Sequence, residues 1–226
     1  MAGKYESERS DPHRPFGALG VTAGFGDRRT APPAWTRVAR VRQVHGAGIV
    51  EARQALVADS TEADAIVVAE EGVLAAVKTA DCVPVLLLAA GDGPRFAAAV
   101  HAGWRGTVAG IVARAVERAG EMGVDPERLH ARLGPSIDPC CYEVGEEVAA
   151  RFDEERLPVH RDGPRPRLDL RAINSILLVR AGVRSDRILL SGPCTRCCHD
   201  VYWSYRQDPG AAGRQLSWIG WADRGA

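Results

Sequence analysis

Two histidines and one cysteine each close an apolar run that is predicted to be a strand. They are His45 in V-R-Q-V-H-G, Cys82 in K-T-A-D-C and His101 in A-A-A-V-H-A-G-W. They lie far apart in the chain, so a local zinc finger is excluded and only the tertiary fold can bring them together. Two imidazoles and one thiolate suit zinc, and three protein ligands leave a fourth coordination position open for chemistry. We therefore predict a zinc site of the catalytic kind.

Composition limits the classes of partner. The chain is 46% hydrophobic and 26% charged with zero net charge, values typical of a soluble globular protein with no electrostatic footprint for nucleic acid or an anionic membrane. No apolar stretch approaches the roughly 20 residues of a spanning helix. Residues 1–15 are polar and lack the apolar core of a secretion signal. We expect a cytoplasmic protein, whose six cysteines are thiols or ligands.

Periodicity predicts a strand-rich fold with a few helices. Residues 1–15 are predicted to be a disordered lead-in, and 16–226 a single domain of the α+β class with a mixed sheet. Segments 63–68 and 73–77 are expected to be a hairpin or paired strands. A helix over 108–122, capped by Thr107, has the clearest apolar face. The other predicted strands are 18–25, 38–44, 83–90, 96–100, 129–133, 187–190 and 215–221, and the other helices are 144–152 and 170–181.

Four further residues are candidates for work around the metal. Asp81 adjoins the cysteine ligand, so it is a candidate for proton transfer or for orienting a histidine. Lys78 stands in an apolar run, where an unpaired charge is costly, so it either forms a salt bridge to a nearby aspartate (81 or 64) or holds an anionic substrate. Arg105 directly precedes the predicted helix and offers a forked donor for phosphate. Arg42 is a further candidate for phosphate binding.

A second group of cysteines lies near the C-terminus. Cys194 and Cys197 form a C-x-x-C pair followed by Cys198, and Cys140 and Cys141 lie upstream. Such a pair is typical of half a structural zinc site, which either His199 or Cys140 and Cys141 would complete. No second C-x-x-C is present, so the spacing favours ordinary buried thiols over a metal site.

Seven blocks of the sequence, taken in order, resemble the signature of the YfiH family, also called the laccase-domain, polyphenol oxidase or purine nucleoside phosphorylase family. The blocks are V-R-Q-V-H-G, A-D-A-I-V-V, K-T-A-D-C-V-P-V-L-L, A-A-V-H-A-G-W-R-G-T, L-G-P-S-I-D-P-C-C-Y-E-V-G, C-T-R-C, and Y-W-S-Y-R-Q-D with G-R-Q-L-S-W-I. The resemblance covers about residues 16 to 222. It implies mixed β-sheets packed together and flanked by helices in one layered domain, as in bacterial toxin deamidases with a Cys–His pair.

The resemblance also implies a function. Family members bind zinc through the residues that match His45, Cys82 and His101 here. They cleave purine nucleosides (adenosine, inosine, methylthioadenosine) with phosphate, and they also deaminate adenosine. Deamination needs an activated water molecule, which zinc with an open coordination position can supply. We therefore expect small-molecule substrates, no nucleic-acid or membrane partner, and a monomer or weak dimer. No metal site is known at the C-T-R-C segment in the family, and segment 20–27 lacks the arginine usual in the family's first block.

Other interpretations remain. Cys82 is a candidate nucleophile with His101 as its base, in an amide or ester hydrolase acting on cell-wall precursors. Alternatively, the ligands hold a structural metal in a non-catalytic binding module. Laccase chemistry is disfavoured, because copper centres of the blue type add an axial methionine and this chain has only Met1 and Met122, neither near these blocks.

Overall fold

Two β-sheets, four α-helices and three short 3-10 helices make up the regular structure of the described residues. The computed structural model describes residues 20–30, 32, 37–57, 59–89 and 92–221. The strands are β1 (Val21–Phe25), β2 (Arg37–Ala39), β3 (Ile49–Glu51), β4 (Ala65–Val68), β5 (Val73–Thr79), β6 (Val83–Ala89), β7 (Ala97–Ala102), β8 (Leu129–Leu133), β9 (Ile188–Leu190) and β10 (Gln215–Trp221). The helices are α1 (Trp104–Val108), α2 (Ile111–Glu121), α3 (Glu146–Glu154) and α4 (Leu170–Arg180).

Both sheets are mixed. The first has the order β1-β10-β5-β2 and the second the order β3-β4-β7-β6-β8-β9. The pairs β2–β5, β3–β4 and β8–β9 are parallel, and the other pairs are antiparallel. Mixed sheets packed together and flanked by helices are the α+β architecture that the sequence predicts, and this prediction is confirmed.

The six-stranded sheet is the middle layer of the described structure, and the alternation of its side chains shows this. In β6, Val83, Val85 and Leu87 join the core on the helix side, whereas Leu86 and Leu88 face the four-stranded sheet. Side chains of a strand point alternately to its two faces, so a strand apolar at every position is buried on both. The near-continuous apolar runs of the sequence therefore belong to this central layer.

The predicted pairing of segments 63–68 and 73–77 is wrong. β4 pairs with β3 and β7 in the six-stranded sheet, while β5 pairs with β2 and β10 in the other. The connection between them crosses from one sheet to the other. A short loop between two apolar runs suits a hairpin equally well, so only long-range strand pairing distinguishes the two arrangements.

The predicted helix over 108–122 forms as α2, which begins three residues later, at Ile111. The short helix α1 before it was not predicted, and Gly110, with a φ of 75°, separates the two helices. Thr107 is not the cap of α2 but lies buried inside α1, where it accepts a hydrogen bond of 3.0 Å from Nδ2 of Asn174 on α4. A left-handed residue cannot continue a right-handed helix, so the chain turns at the glycine.

The structure also bears on the predicted strand ends, the predicted domain bounds and the expected lack of a membrane-spanning helix. Strand β2 ends at Ala39, earlier than the predicted strand 38–44, and β3 was not predicted. The lead-in 1–15 lies outside the described residues, and the single domain 16–226 stays a prediction. Among the described residues, none of the helices has the length and apolar character needed to cross a membrane.

The break at Gly110 leads to a test with two glycines of the same region. We expect Gly110→Ala to lower the free energy of unfolding by about 1–2 kcal/mol, because alanine is strained at positive φ. Gly120→Ala, within α2, should raise it by about 1 kcal/mol. An added Cβ meets nothing within 4 Å at either position, so backbone conformation alone separates them. Urea unfolding of both variants is the measurement, and stabilisation by both would indicate a continuous helix.

Candidate metal-binding site

Antiparallel pairing brings the candidate residues to one end of the middle sheet. β4 and β6 both run antiparallel to β7, so the residues just before them lie beside the end of β7. Asp64 accepts the backbone N–H of His101 at 2.7 Å, which extends the β4–β7 ladder by one pair. Cys82 immediately precedes Val83, whose partner on β7 is Ala102.

The three predicted ligands meet. The ligand atoms of His45, Cys82 and His101 all lie within 4.8 Å of one another. The two imidazole rings are 4.9 Å apart between centroids and nearly perpendicular, at 81°. His101 is buried with 2% exposure, whereas His45 is exposed. The cluster therefore has a buried side in the sheet and an open side at His45.

The carboxylate of Asp64 organises this cluster. It is completely buried and accepts the backbone N–H groups of Val44, His45 and Gly46 at 3.2, 3.0 and 2.7 Å. Its Oδ1 also lies 2.8 Å from Nδ1 of His101. The three backbone bonds hold His45 in a left-handed conformation with a φ of 59°. The bond to Nδ1 fixes the tautomer of His101 and leaves Nε2 as the ring nitrogen for a metal.

The charges of the cluster favour a thiolate. Burial raises the pKa of a thiol, but hydrogen bonds and charges from His101 and His45 outweigh it and lower the pKa of Cys82 to about 6. Burial lowers the pKa of His101, but hydrogen bonds from Asp64 and Cys82 raise it to about 9. Burial raises the pKa of Asp64 as well, and its hydrogen bonds hold that pKa below the ordinary value. Without metal, these pKa shifts favour a thiolate at Cys82 beside an imidazolium at His101 at neutral pH.

Glycine is required where α1 approaches the cluster. A Cβ at Gly103 would lie 3.0 Å from Sγ of Cys82 and 3.4 Å from Cδ2 of His45, and one at Gly106 would lie 2.8 Å from the carbonyl oxygen of Gly46. The glycines of H-A-G-W-R-G thus let the α1 backbone pack directly on the ligands.

Asp81 supports the loop of the cysteine ligand. Its carboxylate accepts the hydroxyl of Thr195 and the backbone N–H of Arg206, each at 2.7 Å. Its carbonyl accepts the N–H of Ile137 at 2.9 Å. These bonds hold a φ of 90° at the crossing between β5 and β6, next to Cys82. The histidine orientation predicted for Asp81 is carried out by Asp64, while proton transfer by Asp81 stays a prediction.

The three predicted phosphate ligands have different surroundings. Lys78 pairs with Asp59 at 2.7 Å, not with an aspartate of the cluster, and strand alternation puts it on the outer face of the four-stranded sheet with Leu74. Arg42 pairs with Glu62 at 2.6 Å. The exposed guanidinium of Arg105 lies 4.4 Å from the ring centroid of Trp104. Within the described part of the chain, Arg105 forms no ion pair, so of the three it is the best placed to bind an anion.

Sequence reasoning missed Tyr142 and Arg206. Burial raises the pKa of Tyr142, the charge of Cys82 raises it further, and the charges of Arg206 and Arg105 act in the opposite direction. The guanidinium carbon of Arg206 lies 5.2 Å from the centroid of the Tyr142 ring. The pKa of the tyrosine therefore responds to the charge of the cluster and to the charges of both arginines. It lies in the C-C-Y-E-V-G block, where the neighbouring cysteines were the stronger signal.

The donor set fits zinc. Two imidazoles and a thiolate are ligands that zinc prefers, and a carboxylate bound to the far nitrogen of a ligating histidine is the usual support of such sites. His45, Cys82 and His101 would hold the ion, with Asp64 behind His101. The pKa of Cys82 means that this thiol ionises readily, as a zinc ligand must.

Comparison with known proteins relates most of the chain to one family. A family model described as multi-copper polyphenol oxidoreductase laccase matches residues 28–222. A purine nucleoside phosphorylase from Deinococcus radiodurans is 40% identical over 97% of this chain and 82% of that protein. Adenosine deaminase RL5, from an unknown prokaryotic organism, is 38% identical over 79% of this chain and 72% of its own.

A solved structure agrees with this relationship. The crystal structure of YfiH from Bacillus licheniformis has a TM-score of 0.80 and 26% identity, covering 89% of this chain and 92% of that one. The resemblance to the YfiH family is therefore confirmed, together with the fold that it implied.

The central position of Asp64 leads to a test of zinc binding. We expect Asp64→Asn to weaken zinc affinity by about 10–100-fold, because an amide supports the ligating histidine less well than a carboxylate. Asp59→Asn, which removes the surface partner of Lys78, is the matched control and should leave affinity unchanged. Competition with a chromophoric chelator measures both. Equal affinity of the two variants would contradict the role of Asp64.

Proposed function

This chain belongs to the family described as multi-copper polyphenol oxidoreductase laccase, and we propose that it is a zinc-dependent enzyme acting on purine nucleosides. It cleaves adenosine, inosine and methylthioadenosine with phosphate and also deaminates adenosine. One observation carries the proposal: His45, Cys82 and His101 converge within 4.8 Å with an open side. Relatives named purine nucleoside phosphorylase and adenosine deaminase, at 40% and 38% identity, support the choice of substrate.

The family description does not lead us to propose oxidase chemistry. A copper centre of the blue type combines two histidines and a cysteine with a weak axial ligand, usually methionine. Met122, the methionine among the described residues, packs against the core on the helix side of the middle sheet. The ligand set with a free position suits zinc chemistry better.

The residues of the cluster would hold the metal, and residues around it would bind the substrate. Zinc bound there would supply a Lewis acid and lower the pKa of water for deamination. Asp64 keeps His101 in one tautomer and fixes the loop of His45. Arg105 binds phosphate through its forked guanidinium, which suits a tetrahedral oxyanion. Tyr142, buried beside the cluster, covers one side of the substrate and excludes water.

The proposal is tested with pure zinc-loaded protein, adenosine and phosphate. We expect adenine with ribose 1-phosphate from phosphorolysis, and inosine from deamination. His45→Ala should remain folded, because the side chain is exposed, and should lose about 100-fold or more of both activities through loss of the metal. His160→Ala, another exposed histidine, is the matched control. Absence of turnover by zinc-loaded wild type would refute the proposal, and unfolding of His45→Ala would favour a purely structural metal.

A second candidate function rests on the thiolate–imidazolium pair. Such a pair of Cys82 and His101 is the arrangement of a cysteine nucleophile with its base, and it suits hydrolysis of an amide or ester. The two candidates differ in whether the sulfur is free in the working enzyme. As a zinc ligand it is protected from electrophiles, and as a nucleophile it is reactive.

Alkylation of Cys82 as a function of pH separates the candidates. In zinc-free protein we expect the iodoacetamide rate at this residue to rise through about pH 6, because the thiolate is populated above the lowered pKa. His101→Gln should move this midpoint up towards the ordinary thiol value, since the imidazolium is gone. Zinc should suppress the reaction. Peptide mass spectrometry resolves Cys82 from the other cysteines, and unchanged alkylation of zinc-loaded protein would favour the hydrolase.

A further inference from the structure

Four cysteines form a compact cluster outside the proposed catalytic site. The Sγ atoms of Cys140, Cys141, Cys194 and Cys197 all lie within 4.8 Å of one another. The cluster joins two loops that are far apart in the sequence. The structure has all four as free thiols.

The fold brings these loops together independently of the cysteines. β8 and β9 are parallel neighbours, so the loops that follow them leave the sheet at the same end. Ser136 bridges to Cys194, and the N–H of Thr195 donates to the carbonyl of Ser136 at 2.9 Å. Arg171 of α4 donates to the carboxylate of Asp138 in one loop and to the carbonyl of Gly192 in the other. The four sulfurs are therefore held together by a supported framework.

The spacing of the sulfurs matches tetrahedral coordination. Cys140 lies 3.7 Å from both Cys141 and Cys197 between Sγ atoms, and the last two are 3.5 Å apart. Four zinc–sulfur bonds of 2.3 Å at tetrahedral angles put sulfurs about 3.8 Å apart. Three edges of the cluster thus already have nearly this length, and Cys194 needs only a small shift to complete it.

Backbone N–H groups surround the most buried sulfur. Sγ of Cys194 accepts the N–H of Asp138 at 3.4 Å and those of Arg196 and Cys197. Hydrogen bonds of this kind support thiolate ligands in metal sites. Cys140 and Cys197 are exposed, which provides an entry path for an ion.

We propose that Cys140, Cys141, Cys194 and Cys197 bind a second zinc ion in a closed, structural tetrathiolate site. Four soft thiolates in a tetrahedron select zinc over hard cations such as Mg²⁺ and Ca²⁺. A closed site has no free position for substrate, so this ion joins the loops and does not take part in chemistry.

The location connects this zinc with the catalytic end of the sheet. Tyr142, which stands beside the first cluster, follows Cys141 directly. Thr195, which follows Cys194, donates its hydroxyl to Asp81 beside the cysteine ligand Cys82. The second ion thus fixes two loops that form a wall of the proposed substrate site. The inference does not depend on which reaction occurs there.

The zinc content of the protein tests the inference. After reduction and reconstitution with zinc chloride, we expect wild type to bind two ions per chain, one in each cluster. The double variant Cys140→Ser/Cys197→Ser should bind one and keep the ion at His45. Cys198→Ser, which removes a neighbouring cysteine outside the cluster, is the matched control and should bind two. Elemental analysis measures all three.

His45→Ala keeps the test decisive if the double serine variant fails to fold. This variant should retain one ion, in the cysteine cluster, and after cobalt replaces zinc it should show the intense visible absorption of a four-thiolate site. Removal of the ion by a chelator should lower the melting temperature of the variant. Four results would each overturn the proposal. They are a single zinc ion in wild type, no metal in His45→Ala, binding of iron in preference to zinc, and, after aerobic purification, a disulfide within the cluster with no second ion bound.

Discussion

The proposed catalytic centre depends on the buried carboxylate of Asp64. It has no exposed surface, and its partners are three successive backbone N–H groups and one imidazole nitrogen. A buried carboxylate is costly unless its charge is compensated by such bonds. Here the bonds that compensate it also position both histidines of the cluster. The hydrogen bonds that satisfy this buried carboxylate are therefore the same ones that arrange the candidate metal site.

Strained backbone at two ligand loops follows from the same arrangement. His45 has a φ of 59° and Asp81, beside Cys82, has a φ of 90°. Residues other than glycine adopt such conformations at a cost, and they persist where surrounding bonds over-determine them. Asp64 supplies those bonds for one loop, and the carboxylate of Asp81 itself supplies them for the other. Both loops bring their candidate ligands, His45 and Cys82, to His101 at the end of β7.

Two clusters of soft ligands are placed along one end of the molecule by strand pairing. The first uses antiparallel neighbours, in which the start of one strand meets the end of the next. The second uses the parallel pair β8–β9, from which both loops leave in the same direction. The loops of the second cluster also bond to Asp81, so its ion would stabilise the surroundings of Cys82. Under the two proposals, the open set of three ligands would serve chemistry and the closed set of four would serve structure.

The sequence by itself determined the residue types that carry chemistry and their positions at the ends of apolar runs. His45, Cys82 and His101 could be selected because few side chains ligate zinc, and apolar runs identify strands through simple burial. Only the tertiary structure decided which groups support them. Asp64 reaches His101 through the antiparallel pairing of β4 with β7, and Lys78 points away because β5 belongs to the other sheet. The break at Gly110 and the meeting of four cysteines likewise depend on contacts between distant segments, which local patterns do not encode.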